Sequence, residues 1–120
     1  MLPSPVTVVL AAISVVGAIA IPFGDPQFLD RAIALELSFI ALTVLTYKGF
    51  RKALYACIPL AAIVMIGNSL APPHVEIMTT FSKPPNAVLL IVGGYILQAA
   101  LVVTTVYELA KARRLVQKAN

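Results

Sequence analysis

The acidic residue with the clearest potential for chemistry is Glu36, which lies within the apolar run "AIALELSFIAL" of residues 32–42. An ionised carboxylate in the hydrocarbon core of a membrane costs about 2.5 to 3.5 kcal/mol, so it has to be neutral, paired or hydrated. Arg31 is the only base nearby. Three interpretations stay open: a carboxyl hydrogen-bonded inside a bundle or subunit interface, a carboxyl that relays protons or cations, or a residue near the outer membrane surface.

Two uncharged polar residues in other apolar segments are candidate partners of Glu36. Asn68 and Gln98 each follow a long run of aliphatic residues. Polar side chains in membrane helices form hydrogen bonds across helix interfaces. We therefore predict that Glu36, Asn68 and Gln98 form an intramembrane polar site that could relay ions or protons.

A second polar pair, His74 and Glu76, stands in "APPHVEIMTTFSKPPN", residues 71–86, with prolines near both ends. A metal ion would need further His, Cys or carboxylate ligands, and the nearby candidates are Asp25 and Asp30. The sequence therefore predicts no metal site and no cofactor. We interpret His74 and Glu76 as interaction residues of a rigid outer loop that lies at the membrane surface or against a partner.

The remaining reactive side chains do not predict an enzyme. A catalytic site needs a nucleophile, a base and an orienting group that converge. The chain has one histidine, five acids and a single cysteine, Cys57, which lies in an apolar run. We interpret Cys57 as a small packing residue and predict a non-catalytic protein.

The composition indicates a membrane protein. Of 120 residues, 60% are hydrophobic and 12% are charged, about half the charged fraction of a typical soluble domain. A helix needs about 20 apolar residues to cross a bilayer. We predict one all-α polytopic domain, a small bundle of four transmembrane helices, with spans at about residues 6–23, 28–47, 53–71 and 86–107, an outer loop at 72–85 and a basic tail at 108–120. Cleavage of the first span as a signal peptide is an alternative, although no positive segment precedes it.

The basic residues predict the orientation. Positive residues collect in cytoplasmic loops, and an even number of spans puts both termini on one side. We therefore predict an integral cell-membrane protein with cytoplasmic termini, and no nucleic-acid partner, because no aromatic or glycine-rich readout motif accompanies the charge. The residues expected to contact lipid head groups are Lys48, Arg51 and Lys52 in "KGFRK", and Lys111, Arg113 and Arg114 in the tail.

Each predicted span carries a stripe of small or polar residues at helical spacing. In lipid, close packing of small residues and a few polar contacts hold helices together. These stripes are therefore expected to face one another, or to face copies of the chain. Their members are Thr7, Ala11, Ser14 and Ala18; Ala32, Glu36, Thr43 and Thr46; Cys57, Ala61 and Asn68; and Gly94, Gln98 and Thr105.

Gly17 followed by "AIALELSFIAL" is similar to the first two helices of the small K-type subunits of complex I and of Mrp-type antiporters. In those families a glycine-containing helix precedes a helix with an acid in an "I-x-L-E" setting, which Glu36 matches. The K-type subunits have three spans, so the third predicted span and "KGFRK" have no counterpart. The hairpin of residues 37–69 is also similar to conjugative pilins of type IV secretion systems. Neither resemblance assigns a family.

Three functions follow from these observations. The predicted function is a small non-catalytic subunit of a larger membrane complex, energy-transducing or respiratory, whose partners are the bilayer and other membrane subunits or copies of itself. The first alternative is a homo-oligomeric channel, or a transporter coupled to protons or cations, that uses Glu36. The second alternative is a self-assembling pilin-like subunit of a secretion or conjugation apparatus.

Overall fold

The structure, a computed structural model, describes residues 4–23 and 26–119. No strand occurs in these residues, so the predicted all-α class is confirmed. Short 3-10 turns cover Ile21–Phe23, Pro26–Phe28 and Arg51–Ala53, and a π-helical turn covers Val92–Ile96. The helices are α1 (Pro5–Ala20), α2 (Leu29–Tyr47), α3 (Leu54–Leu70), α4 (Pro72–Thr80), α5 (Pro84–Ile91) and α6 (Leu97–Ala119).

Prolines mark the starts of three helices. Ser4 has an extended backbone, and its hydroxyl accepts a hydrogen bond from the Thr7 N–H at 3.3 Å, an N-cap interaction worth about 1 kcal/mol. Pro5 follows at the first helical position, where a helix has no use for the missing N–H. Pro72–Pro73 and Pro84–Pro85 occupy the same position in α4 and α5.

The segment predicted as an outer loop, 72–85, is mostly helical. α4 fills its first nine residues, 72–80. Phe81, the residue that caps its C-terminus, has a left-handed backbone with φ 52° and ψ 33°. The Phe81 N–H donates to the Ile77 carbonyl at 2.9 Å, and α5 begins at Pro84. The segment interpreted as a rigid outer loop therefore contains two helix starts, and its prolines occupy the first positions of these helices.

α5, the π turn and α6 form one continuous helix. Its apolar part, Pro84–Leu115, has 32 residues, which corresponds to about 48 Å at 1.5 Å per residue. The hydrocarbon core of a bilayer is about 30 Å thick. The helix is therefore longer than a bilayer crossing requires, and its last turns carry Lys111, Arg113 and Arg114.

α1 is the central helix of the bundle. It packs against α2 on one side and against α5, the π turn and α6 on another, and α3 packs against α6. α2 and α3 are joined by a tight connection in which Gly49 has φ 89°, a conformation that suits glycine. Within the described residues no contact of similar extent joins α2 to α3, so these two helices leave a gap between them.

The predicted stripes of α1 and α2 face each other, which confirms that part of the packing prediction. The Thr7 hydroxyl donates to the Thr46 hydroxyl at 2.9 Å, and the Ser14 and Thr43 hydroxyls are 3.4 Å apart. The buried core extends from this end of the bundle to its middle. Its members are Val6, Leu10, Ile13, Phe39, Leu42, Ala53, Leu54, Cys57, Ala61 and Leu101.

Three helical segments in the described residues are long and apolar enough to cross a membrane: Pro5–Phe23, Arg51–Leu70 and Pro84–Leu115. The remaining predicted span, 28–47, is helical as α2, but it is not among these three segments. Its 19 residues carry three charged side chains, Asp30, Arg31 and Glu36. Three of the four predicted spans therefore coincide with helices that could cross a membrane. The number of spans and the sidedness of the termini stay predictions.

Candidate functional site: a cavity around Glu36

A cavity of about 630 Å³ lies at the end of the bundle next to α4. α1 and α2 contribute lining residues within 13–23 and 28–39, and α3 contributes Val64 and Asn68. α4 contributes residues within 73–77, and the continuous helix contributes residues within 86–98. The cavity thus occupies the gap that α2 and α3 leave, with α4 over its end.

Glu36 lies on the wall between α1 and α2, with its carboxyl group against Gly17. A Cβ atom placed on Gly17 would be 2.8 Å from Glu36 Oε2 and 2.9 Å from Oε1, closer than non-bonded atoms approach. Glycine at this position therefore makes room for the carboxyl group. Both oxygens are buried, and neither accepts a hydrogen bond within the described residues. The first interpretation, a carboxyl hydrogen-bonded inside a bundle or subunit interface, thus finds no partner among the described residues of this chain, and a partner across a subunit interface stays a prediction.

Arg31, the nearby base, contacts a different group. Its guanidinium lies over the ring of Phe28, 5.6 Å from the ring centroid, a cation–π arrangement. The Phe28 ring in turn packs against the His74 ring of α4, with centroids 4.9 Å apart and planes tilted by 50°. This stack joins the start of α2 to α4. Glu36, one and a half turns along α2, is left without a hydrogen bond from Arg31.

Asn68 and Gln98 also line the cavity, so the structure brings together the three polar residues that the sequence analysis groups. The Asn68 side-chain amide lies against Gly94, so close that a Cβ atom there would collide with it. Gln98 is 1% exposed. Its Nε2 donates to the Gly93 carbonyl at 3.0 Å, whereas its Oε1 is buried and has no partner within the described residues.

The π turn lies where Gln98 and Asn68 border the cavity, and both side chains contact its glycines. A π turn inserts a residue into a helix, shifts the backbone bonds and is frequent at functional sites. Here it covers Val92–Ile96 and exposes the Gly93 carbonyl to the Gln98 side chain. Sequence reasoning missed this turn and the role of Gly17. The pair Gly93–Gly94, followed by Gln98, is the only local signal of the turn.

The interaction residues predicted on the outer segment lie at the α4 edge of the cavity. His74 is half-buried against Phe28, and Glu76 is exposed. Both line the cavity together with Lys83, which is also exposed. The Asn86 side chain donates to the Phe23 carbonyl at 2.6 Å and so ties the start of α5 to the end of α1. No cluster of three or more His, Cys, Asp or Glu side chains that could hold a metal occurs in residues 4–23 and 26–119.

The basic residues predicted to contact lipid head groups lie at the opposite end. Two contacts join the helices at this end. Thr7 hydrogen-bonds to Thr46, which joins the start of α1 to the end of α2. The Val6 N–H donates to Glu108 Oε1 at 3.2 Å, which joins α1 to α6. None of the basic residues there lines the cavity. All are exposed: Lys48, Arg51, Lys52, Lys111, Arg113 and Arg114.

Comparison with known proteins adds no relative: no family model, curated protein or solved structure matches this chain. The chemistry of the cavity therefore follows from its own side chains. It combines mainly apolar walls with a few convergent polar groups, the arrangement typical of small-ligand sites. Its central polar group is the Glu36 carboxyl, which can bind a proton or a cation.

Proposed function

We propose that this chain is a four-span membrane protein with its termini and the "KGFRK" connection in the cytoplasm. Three apolar helices and the clustering of basic residues at one end support this topology. α2, with 19 residues, is long enough to be the additional span. Asp30 and Arg31 stand at its first turn, where they would reach the polar membrane surface. An epitope tag after residue 120 should be inaccessible in intact cells; labelling from outside would contradict the topology.

We propose further that the protein conducts or transports protons or small cations through Glu36, the first alternative of the sequence analysis. The observation that supports this proposal is the cavity, in which the carboxyl of Glu36 lies beside Gly17 and accepts no hydrogen bond from the described residues. A carboxylate buried in a membrane bundle for packing alone would carry a free-energy cost. A cost of this kind is tolerated where the group exchanges a proton or a cation.

Flux through liposomes tests this function. Purified protein is reconstituted, and proton and K⁺ fluxes are followed under an imposed gradient. Glu36→Gln keeps the shape of the side chain and removes its charge, so we expect flux to fall to that of empty liposomes. Asp30→Asn is the matched control, because Asp30 is an exposed acid on α2 that does not line the cavity. Unchanged flux in Glu36→Gln would eliminate the proposal.

A second candidate is the small subunit of a larger membrane complex, energy-transducing or respiratory. The observation in its favour is the one-sided packing of α2, which contacts α1 but leaves much of its apolar surface uncovered, including Ile33, Leu37 and Val44. A neighbouring subunit could cover this surface. Extraction in mild detergent followed by native mass measurement distinguishes the two, because a subunit should remain with other proteins and a channel should be found alone or with its own copies.

A further inference from the structure

Three buried side-chain oxygens of the cavity lack a hydrogen-bond donor among the described residues. Both carboxyl oxygens of Glu36 and Oε1 of Gln98 accept no hydrogen bond from any described residue. One N–H of Gln98 Nε2 donates to the Gly93 carbonyl, and the Asn68 amide, which also lines the cavity, donates to none of these oxygens. Leaving a buried acceptor without a partner is energetically costly. A ligand that relieves this cost has to bring N–H or O–H donors.

The charges around the cavity favour a ligand with a single positive charge. Glu76 and Lys83 stand exposed at its α4 edge and cancel formally. Arg31 is engaged with Phe28 and does not line the cavity. The unbalanced charge is therefore that of an ionised Glu36, and its complement is one cation.

The size and the walls of the cavity call for an organic body on that cation. A volume of about 630 Å³ lies within the range of about 300–1,000 Å³ that small-molecule sites occupy, and it greatly exceeds the volume of an inorganic ion. Most of the side chains that line the cavity are aliphatic or aromatic. They include Ile13, Val16, Phe39, Val64 and Leu90.

We infer that the cavity binds an amphipathic organic monocation with N–H donors, that is, an ammonium or guanidinium group on an apolar body. The cationic head hydrogen-bonds to Glu36 and Gln98, and the body packs between α1, α2 and α3. The Glu36 side chain turns from Gly17 toward the ligand to present its oxygens. This inference rests on the proposed function, in which the carboxyl of Glu36 binds a cation, and it names the chemical class of that cation.

Binding in lipid nanodiscs tests the inference, with empty nanodiscs to subtract partition into lipid. The probes are phenethylammonium, phenethyltrimethylammonium, which has the charge but no N–H, and phenethyl alcohol, which is neutral. Because a charge-assisted hydrogen bond is worth about 1.5–3 kcal/mol, we expect the ammonium to bind about tenfold or more tightly than the alcohol. The trimethylammonium compound should bind more weakly than the ammonium.

Variants test whether the Glu36 carboxyl causes the preference for the ammonium over the alcohol. In Glu36→Gln the advantage of the ammonium over the alcohol should disappear, whereas Asp30→Asn should keep it. If Glu36→Gln does not fold, Gly17→Ala serves instead: its Cβ would push the carboxyl from α1 into the cavity, where it meets the ligand, so the advantage of the ammonium should persist or grow, and its loss would contradict the inference. Gly67→Ala, whose Cβ meets no atom within 4 Å, should leave the advantage unchanged. Equal binding of ammonium and alcohol, equal binding of both cations, or an advantage that survives in Glu36→Gln would overturn the inference.

The two proposals fail in different ways. Glu36-dependent proton or K⁺ flux without binding of phenethylammonium would refute the organic cation and leave the proposed function. Glu36-dependent binding without any flux would leave the site as described here and refute the proposed transport.

Discussion

The two halves of the bundle are built from the same helices and use them differently. At the end where α1 begins, Leu10, Cys57 and Leu101 are fully buried, and the Thr7 hydroxyl donates to the Thr46 hydroxyl. The neutral hydroxyl of Thr105 is also buried there, without a hydrogen bond among the described residues. At the α4 end, the Glu36 carboxyl borders a cavity and accepts no hydrogen bond from the described residues. Unpartnered buried polar groups are costly, and local departures from good packing concentrate at functional sites. The first half stabilises the bundle, and the second half holds the site.

The largest expected effect comes from truncating the packed half. Leu101→Ala removes a side chain that is 0% exposed and leaves a void, so the free energy of unfolding should fall by about 2–3 kcal/mol. Leu89→Ala is the matched change at the cavity, where it only enlarges an existing space and should cost less than about 1 kcal/mol. Denaturant unfolding in detergent measures both. Equal losses would remove the distinction between the halves.

The next effect has opposite signs at two glycines. Gly94→Ala would place a methyl group on the Asn68 amide, so we expect a loss of stability of about 1–3 kcal/mol from overpacking. Gly67→Ala in α3 meets no atom within 4 Å and should gain about 0.5–1 kcal/mol from the lower flexibility of the unfolded chain. Thermal unfolding compares them. A tolerated Gly94→Ala would show that Asn68 does not pack on the π turn.

The smallest expected effect is the coupling between Thr7 and Thr46 at the packed end. Hydrogen bonds between membrane helices contribute about 0.6 kcal/mol on average in double-mutant cycles. Thr7→Val and Thr46→Val should therefore be non-additive by about that amount. Thr7→Val combined with Thr79→Val, a change on α4 where the hydroxyl bonds its own helix, should be additive. Additivity in both pairs would contradict the contact.

The helices and the polar site are predictable from sequence to different extents. Long apolar runs reveal the helices because lipid-compatible spans need about 20 such residues. Glu36, Asn68 and Gln98 stand out because polar residues are rare in such runs. Both signals are local in the chain.

The cavity and its glycines are not predictable in the same way. The cavity depends on the separation of α2 from α3, although these helices are neighbours in the chain. No pattern in their sequences indicates that they do not pack against each other. The π turn is a shift in backbone hydrogen bonding, and Gly93–Gly94 is compatible with an ordinary helix as well. Gly17 matters because Glu36 lies opposite it on another helix, which only the three-dimensional structure reveals.

The accessibility of two positions on α3 tests the central contrast most directly. The native Cys57 is fully buried in the packed half, and Val64, two turns later, lines the cavity. A cationic methanethiosulfonate reagent reacts with an accessible, ionised thiol. Because Cys57 is buried, the reagent should leave the native protein in nanodiscs unmodified. In a Cys57→Ala background, Val64→Cys should be modified, and phenethylammonium should protect it. Modification of Cys57, or an unreactive Val64→Cys, would contradict the account.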